Sequence, residues 1–302
     1  MLTKFNPKLI VLIGVVFVSF SSVLTKMSDA PSFVIAAYRL GFTVLLLMPS
    51  VLRGKIPEIR KIDRRSLVIC MVSGVFLALH FATWIASIKY TSIASAAVLV
   101  NTHPIFIVLA SYLLFKEKVT GKILSGIIVA FIGGSIISVG DSTLGTNILL
   151  GDMLAVAGAF FVAGYFLIGR IVRQRLSVTT YTFLVYSSSF LTLVILSMIT
   201  NTPLYPYPVK ELLIFLSLAV FCTILGHSIF NWALEYVPPT FISTAVLGEP
   251  VGATIWAMMI FAEIPTLWQV GGSAIIVFGI YLFVRYSQEE EKKKLSNPVS
   301  TQ

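Results

Sequence analysis

Apolar residues come in repeated runs of roughly 17–25 positions along this chain, separated by short polar or turn-forming breaks. A run of that length crosses about 30 Å of hydrocarbon as a helix. Stretches such as Ile123–Gly140 and Leu212–Leu225 lack the every-second-residue alternation of a lipid-facing strand. An open sheet cannot cross lipid, because its edge amides stay unpaired. The pattern predicts an all-α membrane protein with ten transmembrane helices, near 8–25, 33–52, 66–88, 92–115, 121–140, 149–169, 179–200, 210–234, 240–261 and 266–284. The breaks read as turns: Ser28-Asp29-Ala30-Pro31, Gly140-Asp141-Ser142, Asn201-Thr202-Pro203 and Pro238-Pro239. From 286 to 302 the chain is a charged tail, and its Glu289–Lys294 run reads as a solvated helix extension or disorder.

Composition sharpens this picture. Charged residues make up 12% of the chain and hydrophobic ones 57%, whereas a soluble domain carries about 25% charged residues. The net charge of +9 would suit nucleic acid, but the positions of the basic residues give it a different meaning. With the N-terminus in the cytoplasm, the inner loops hold Lys4 and Lys8, the six basic residues from Arg53 to Arg65, Lys116, Lys118 and Lys122, Arg170, Arg173 and Arg175, and Arg285 with Lys292–Lys294. The outer loops hold only Lys26, Lys89 and Lys210. This asymmetry sets the topology. Both termini then lie in the cytoplasm of a bacterial cell, the protein sits in the inner membrane, and no nucleic acid is implied. Lys4 and Lys8 ahead of an apolar run also resemble a signal peptide, but its removal would break the repeat that follows. Cys70 and Cys222 lie inside apolar runs with no metal or redox spacing and read as packing residues.

Shifting the chain by 146 residues superposes Tyr90 on Tyr236, Pro104 on Pro250, Phe115 on Phe261, Glu117 on Glu263, Thr120 on Thr266, Gly126 on Gly272 and Gly133 on Gly279. Each half then has five helices, 1–140 and 141–285. An odd number makes the second half enter the membrane from the opposite side, so the halves form an inverted repeat. That architecture supports two conformations, each open to one side, around a site near the midplane.

Several polar residues fall within the spans. His80 and Trp84, four apart, share one face of the third span; His227 and Asn231 do the same in the eighth, followed by Trp232 and Glu235. Asn101 and His103 precede Pro104, and Glu249 precedes Pro250. The prolines are helix kinks that free the carbonyls of Val100 and Val246. A carboxylate at membrane depth is a functional candidate, and Glu249 is the candidate for binding a cation or carrying a proton. Tyr165 in the sixth span is a further candidate for the cavity wall. The substrate-binding set is therefore His80, Trp84, Asn101, His103, Tyr165, His227, Asn231, Trp232 and Glu249; the plainer reading of each histidine is a satisfied core residue, and that of Glu249 a carboxylate paired structurally with a histidine or hydroxyl. Arg39 reads as an anchor that reaches the outer surface or forms a structural pair, with the external mouth of the cavity as the alternative. Glu117 and Glu263 read as helix-end charges, and Gly126, Gly133, Gly134, Gly271, Gly272 and Gly279 as helix contacts. No zinc-protease spacing and no phosphate-binding loop is present, so neither a metal, a cofactor nor direct ATP use is implied.

The closing element of each half resembles that of the EamA family of the drug/metabolite transporter superfamily. It runs here from Asn101-Thr102-His103-Pro104 to Phe115-Lys116-Glu117, and from Leu247-Gly248-Glu249-Pro250 to Phe261-Ala262-Glu263. The resemblance covers roughly residues 8–284. It implies a central cavity lined by both halves and a secondary transporter, an exporter of metabolites such as amino acids or of drug-like compounds. Carried over by position, spans three, four, eight and nine would supply the cavity residues; it implies no catalytic residue. The expected partners are a small-molecule substrate and the lipid bilayer. One chain contains both halves, so a monomer suffices and a dimer is compatible. The competing classes are a non-transporting membrane scaffold or receptor and an intramembrane enzyme, for which the histidines lack a partner nucleophile.

Overall fold

A computed structural model describes residues 6–90, 96, 99–116, 119–140, 147–262 and 264–296. The sequence expectations at Lys4, Glu117, Lys118, Asp141, Ser142 and Glu263 lie outside the described residues. So does the start of the fourth span.

Among the described residues every regular element is a helix. The first half holds α1 (Pro7–Val18), α2 (Phe20–Lys26), α3 (Ser32–Gly54), α4 (Ile56–Arg60), α5 (Arg64–Tyr90), α6 (His103–Phe115) and α7 (Gly121–Gly140). The second holds α8 (Ile148–Arg173), α9 (Val178–Ile199) and α10 (Val209–Ser217), then a π-helical segment, Leu218–His227. The last four are α11 (Ser228–Ala233), α12 (Pro239–Val246), α13 (Glu249–Phe261) and α14 (Leu267–Ser296). Eight stretches are long and apolar enough to cross a membrane, and α6 and α7 are shorter apolar helices.

Local chemistry sets the helix starts. Asn6 caps α1 through Lys8 N–H at 3.0 Å, with Pro7 in the first turn. The Asn147 side chain caps α8 at Leu150 N–H, 3.2 Å away, and Ser177 caps α9. Pro31, Pro208 and Pro238 stand extended immediately before α3, α10 and α12. The two closing elements end alike: Lys116 and Ala262, 146 residues apart, both adopt the left-handed conformation, with φ of 54° and 53°.

Close helix approaches hold the bundle together. A Cβ on Gly164 of α8 would meet the Phe76 ring of α5 at 2.3 Å, and one on Gly74 of α5 would meet the Val185 carbonyl of α9 at 2.5 Å. α3 and α5 thus lie against α8 and α9, across the two halves of the sequence. α7 and α14 form a separate pair whose contact is almost bare backbone. Gly126 faces Phe283, Gly133 faces Gly272 and Ile276, and Gly279 faces Ala130. Gly134 and Gly271 have open space beside them, so they do not belong to this contact. The core is aromatic, with Tyr165, Tyr181, Tyr186, Phe81, Phe166, Phe215 and Phe230 fully buried. Leu113, Leu114, Leu149, Met153, Met198 and Ile199 point outward, an arrangement suited to lipid.

Candidate functional site

The π-helical segment brings several groups of the site together. Hydrogen bonds that span five residues instead of four widen a helix and re-aim its side chains, a device common at functional sites. Thr223 and His227 leave this segment into the core. His227 meets the Phe81 ring edge-on at 5.6 Å, Phe230 at 5.9 Å and Tyr165 at 6.5 Å. Its Nδ1 is buried with no hydrogen-bond partner. His80 lies next to Phe81 on α5, donates from Nδ1 to the Gly158 carbonyl at 3.0 Å, and stacks parallel to Trp84. The two expected histidines therefore flank one phenylalanine.

Arg39 departs from the snorkelling part of its sequence reading. It does not reach the outer surface: it lies seven residues into α3, about 10 Å along the axis, and is 2% exposed. Nε donates to Thr223 Oγ1 at 2.8 Å, Nη1 donates to Ser21 Oγ at 3.1 Å, and the guanidinium lies 4.5 Å from the Phe81 ring centroid. Nη2 is buried without a partner. The physical reason for the difference is polar company. Ser21, in α2, and Thr223 supply hydroxyls at depth, so the side chain need not climb to the surface. One cue was available in the sequence: a cation seven residues inside an apolar run.

Asn231 organises the next layer. Tyr165 donates to Asn231 Oδ1 at 2.8 Å, Asn231 Nδ2 donates to Tyr186 Oη at 3.0 Å, and the Asn231 carbonyl accepts from Arg173 Nε at 2.9 Å. Tyr186 and Ser228 hydroxyls lie 3.1 Å apart. Tyr165, Tyr186 and Asn231 are buried with their side-chain groups satisfied, and Tyr186 was not singled out from sequence. A hydroxyl that does not interrupt an apolar run carries no sequence signal.

Of the remaining candidates, Glu249 is within electrostatic reach of Arg39 and the others scatter. Glu249 opens α13, is partly buried and forms no ion pair within 4 Å among the described residues, although it acts electrostatically on Arg39. His103 is buried, and its Nδ1 donates to the Val100 carbonyl at 3.1 Å. That is the carbonyl Pro104 leaves free, so the ring heals the helix break. Pro104 and Pro250 each stand second in a helix that starts afresh at His103 or Glu249. Asn101 lines a groove of about 420 Å³ with Pro104, Tyr112 and Leu247. Tyr112, Ile105 and Leu109 on its wall are more than half exposed, which places it on the lipid-facing side. Trp232 packs on Tyr236 at 4.8 Å. Among the described residues no group of three His, Cys, Asp or Glu side chains could hold a metal ion.

Each end of the bundle carries a carboxylate tie between the halves. At one end Glu58 of α4 accepts from the amide and the hydroxyl of Ser177, both at 2.7 Å, where α9 begins. At the other, Glu211 of α10 accepts from the Ser28 hydroxyl and, at 3.0 Å, from the Asp29 amide just before α3. α3 separates the two ties by its own length of 23 residues, about 35 Å. Burial pushes the Glu58 carboxyl up, but the hydrogen bonds from Ser177, Thr180 and Lys55 outweigh it and bring it down to about 2.

The model of the EamA-like transporter family matches residues 7–139 and 149–285. An uncharacterized transporter of Clostridium kluyveri is 26% identical over 247 residues, 79% of this chain and 77% of the relative. The uncharacterized transporter YyaM of Bacillus subtilis is 27% identical, over 81% of this chain and 82% of its own. The pseudopaline exporter CntI of Pseudomonas aeruginosa is 23% identical over 72% of this chain and 74% of its own. A solved crystal structure shares the fold with a TM-score of 0.77 at 16% identity, covering 94% of this chain and 98% of that one.

Proposed function

The chain belongs to the EamA-like transporter family, and we propose that it is a secondary transporter that exports small metabolites, such as amino acids or drug-like compounds, by alternating access. One observation carries this reading. Polar groups from both halves of the sequence converge in a sealed aromatic core: Arg39 and His80 from the first half, and Tyr165, His227 and Asn231 from the second. Buried polar groups at membrane depth are costly and mark solute paths. The relative named as an exporter favours outward movement.

In this proposal residues 1–140 and 141–285 are inverted repeats of five crossings each, residues 286–302 form a cytoplasmic tail, and both termini face the cytoplasm across a bacterial inner membrane. The matching left-handed ends of α6 and α13 support the repeat. The ties at Glu58 and Glu211 close opposite ends of the bundle, and alternating access would release one while keeping the other. Among the residues expected from sequence, His80, Tyr165, His227, Asn231 and Glu249 form the solute site, with Trp84 beside it. Glu249 carries the coupling proton. His103, Pro104 and Pro250 shape the helix breaks, and Asn101 and Trp232 act outside the cavity.

The test compares metabolites in the medium of cells overproducing wild type or Glu249→Gln, and then measures flux in proteoliposomes with and without a pH gradient. Compounds should accumulate outside only with wild type, and their flux should follow the gradient in wild type but not in the variant. No flux of any released or candidate compound would refute the transporter reading. Equal, gradient-independent flux in both proteins would refute proton coupling alone.

A further inference from the structure

The Arg39 guanidinium is held as a half-used fork. Two of its nitrogens are occupied by neutral hydroxyls, Thr223 and Ser21, and its plane rests on Phe81. The third nitrogen, Nη2, is buried and has no partner. Hydroxyl acceptors orient a guanidinium without cancelling its charge. A buried charge lacking a counter-ion is costly, and the cost is recovered when a carboxylate pairs with it in good geometry. No described carboxylate lies within ion-pair distance, and Glu249 acts on Arg39 only from farther away. A plain structural arginine occupies all three nitrogens, as Arg173 does with the carbonyls of Asn231 and Leu176 and the carboxylate of Glu235.

We propose that Arg39 is the receptor for a carboxylate on the transported solute, which makes the cargo an organic acid or an amino-acid-like zwitterion rather than a neutral or purely cationic compound. The inference rests on the transporter reading. Nη2 and the outer edge of Nη1 can donate together to a planar carboxylate, a fit that arginine supplies and lysine does not. The unpartnered His227 Nδ1 lies on the same aromatic platform, its ring 5.6 Å from that of Phe81. Phe81, Phe230 and Tyr165 offer apolar area for the rest of the molecule.

The experiment uses the purified full-length protein in detergent and follows thermal unfolding with sodium benzoate, with benzamide, and with sodium chloride at equal ionic strength. Benzoate and benzamide share their ring and differ in the carboxylate. Benzoate should raise the midpoint in a saturable way, and the other two should not. Arg39→Gln should raise the half-saturating benzoate concentration roughly tenfold or more, the scale of one lost charged hydrogen bond. Thr223→Val keeps the charge but releases Nε, and should weaken benzoate by a smaller factor; this variant decides the matter if Arg39→Gln does not fold. The assignment is overturned if benzoate acts no better than benzamide or salt, or if its effect survives in both variants. Benzoate binding that depends on Arg39, in a protein that moves no solute, would sink the transporter reading and leave the carboxylate receptor standing.

Discussion

Adding one methyl group at Gly279 should force α7 and α14 apart. A Cβ there would sit 2.3 Å from the Ala130 nitrogen and 2.7 Å from its Cα, whereas ordinary contact begins at 3.4 Å. Those atoms belong to the backbone and cannot rotate away, so the helices must separate by about 1 Å. A gap of that size forfeits a quarter to a half of each dispersion contact it touches. Overpacking of this kind costs about 1–3 kcal/mol, and the better helix propensity of alanine offsets about 1 kcal/mol of it. Gly279→Ala should therefore lose up to about 2 kcal/mol and end about 1–3 kcal/mol below an alanine that meets no neighbour. Gly271→Ala makes the same chemical change in the same helix, but nothing lies within 4 Å of its new methyl. It should be neutral or gain up to about 1 kcal/mol. Thermal unfolding of the two purified variants beside wild type measures the difference. Equal shifts in the two variants would refute the backbone-contact account of this helix pair.

Two further outcomes follow from the polar groups. Asn231→Leu should cost about 1–3 kcal/mol by leaving the Tyr165 hydroxyl buried and unpaired; adding Tyr165→Phe should recover part of that loss, and a double variant worse than the sum would contradict the network. Glu58→Gln should lower stability at neutral pH by about 1 kcal/mol, the scale of a lost helix cap. The Glu58 carboxyl is held below its ordinary value, so its contribution is fully present above about 4.5 and is lost as the pH falls through about 2. The unfolding difference between wild type and Glu58→Gln should therefore shrink over that window, and a difference that stays constant to the acid end would remove the ionised tie.

The order of the helices was legible in the chain because hydrophobic run length is a local property. The eight stretches long enough to cross a membrane each begin within two residues of the run that predicts them, the last continuing beyond the predicted end at 284, and Asn6, Asn147, Ser177 and the prolines at 31, 208 and 238 mark helix starts by chemistry that acts over one turn. The transporter family was legible too, through the paired elements ending at Phe115 and Phe261. What tertiary structure alone decided is which polar groups meet. Ser21, Arg39, Phe81 and Thr223 are spread over some 200 positions, and only the packing of α2, α3, α5 and the π-helical segment puts them in one place. An isolated arginine in an apolar run looks the same whether it reaches for water or for buried hydroxyls, because the choice depends on acceptors contributed by other helices. The same holds for His103 and Trp232. Their spacing could not say that His103 bonds to the carbonyl released by its neighbouring proline, or that Trp232 packs on Tyr236. Helical periodicity assigns a residue to a face of its own helix, and only the neighbouring helices determine what that face meets.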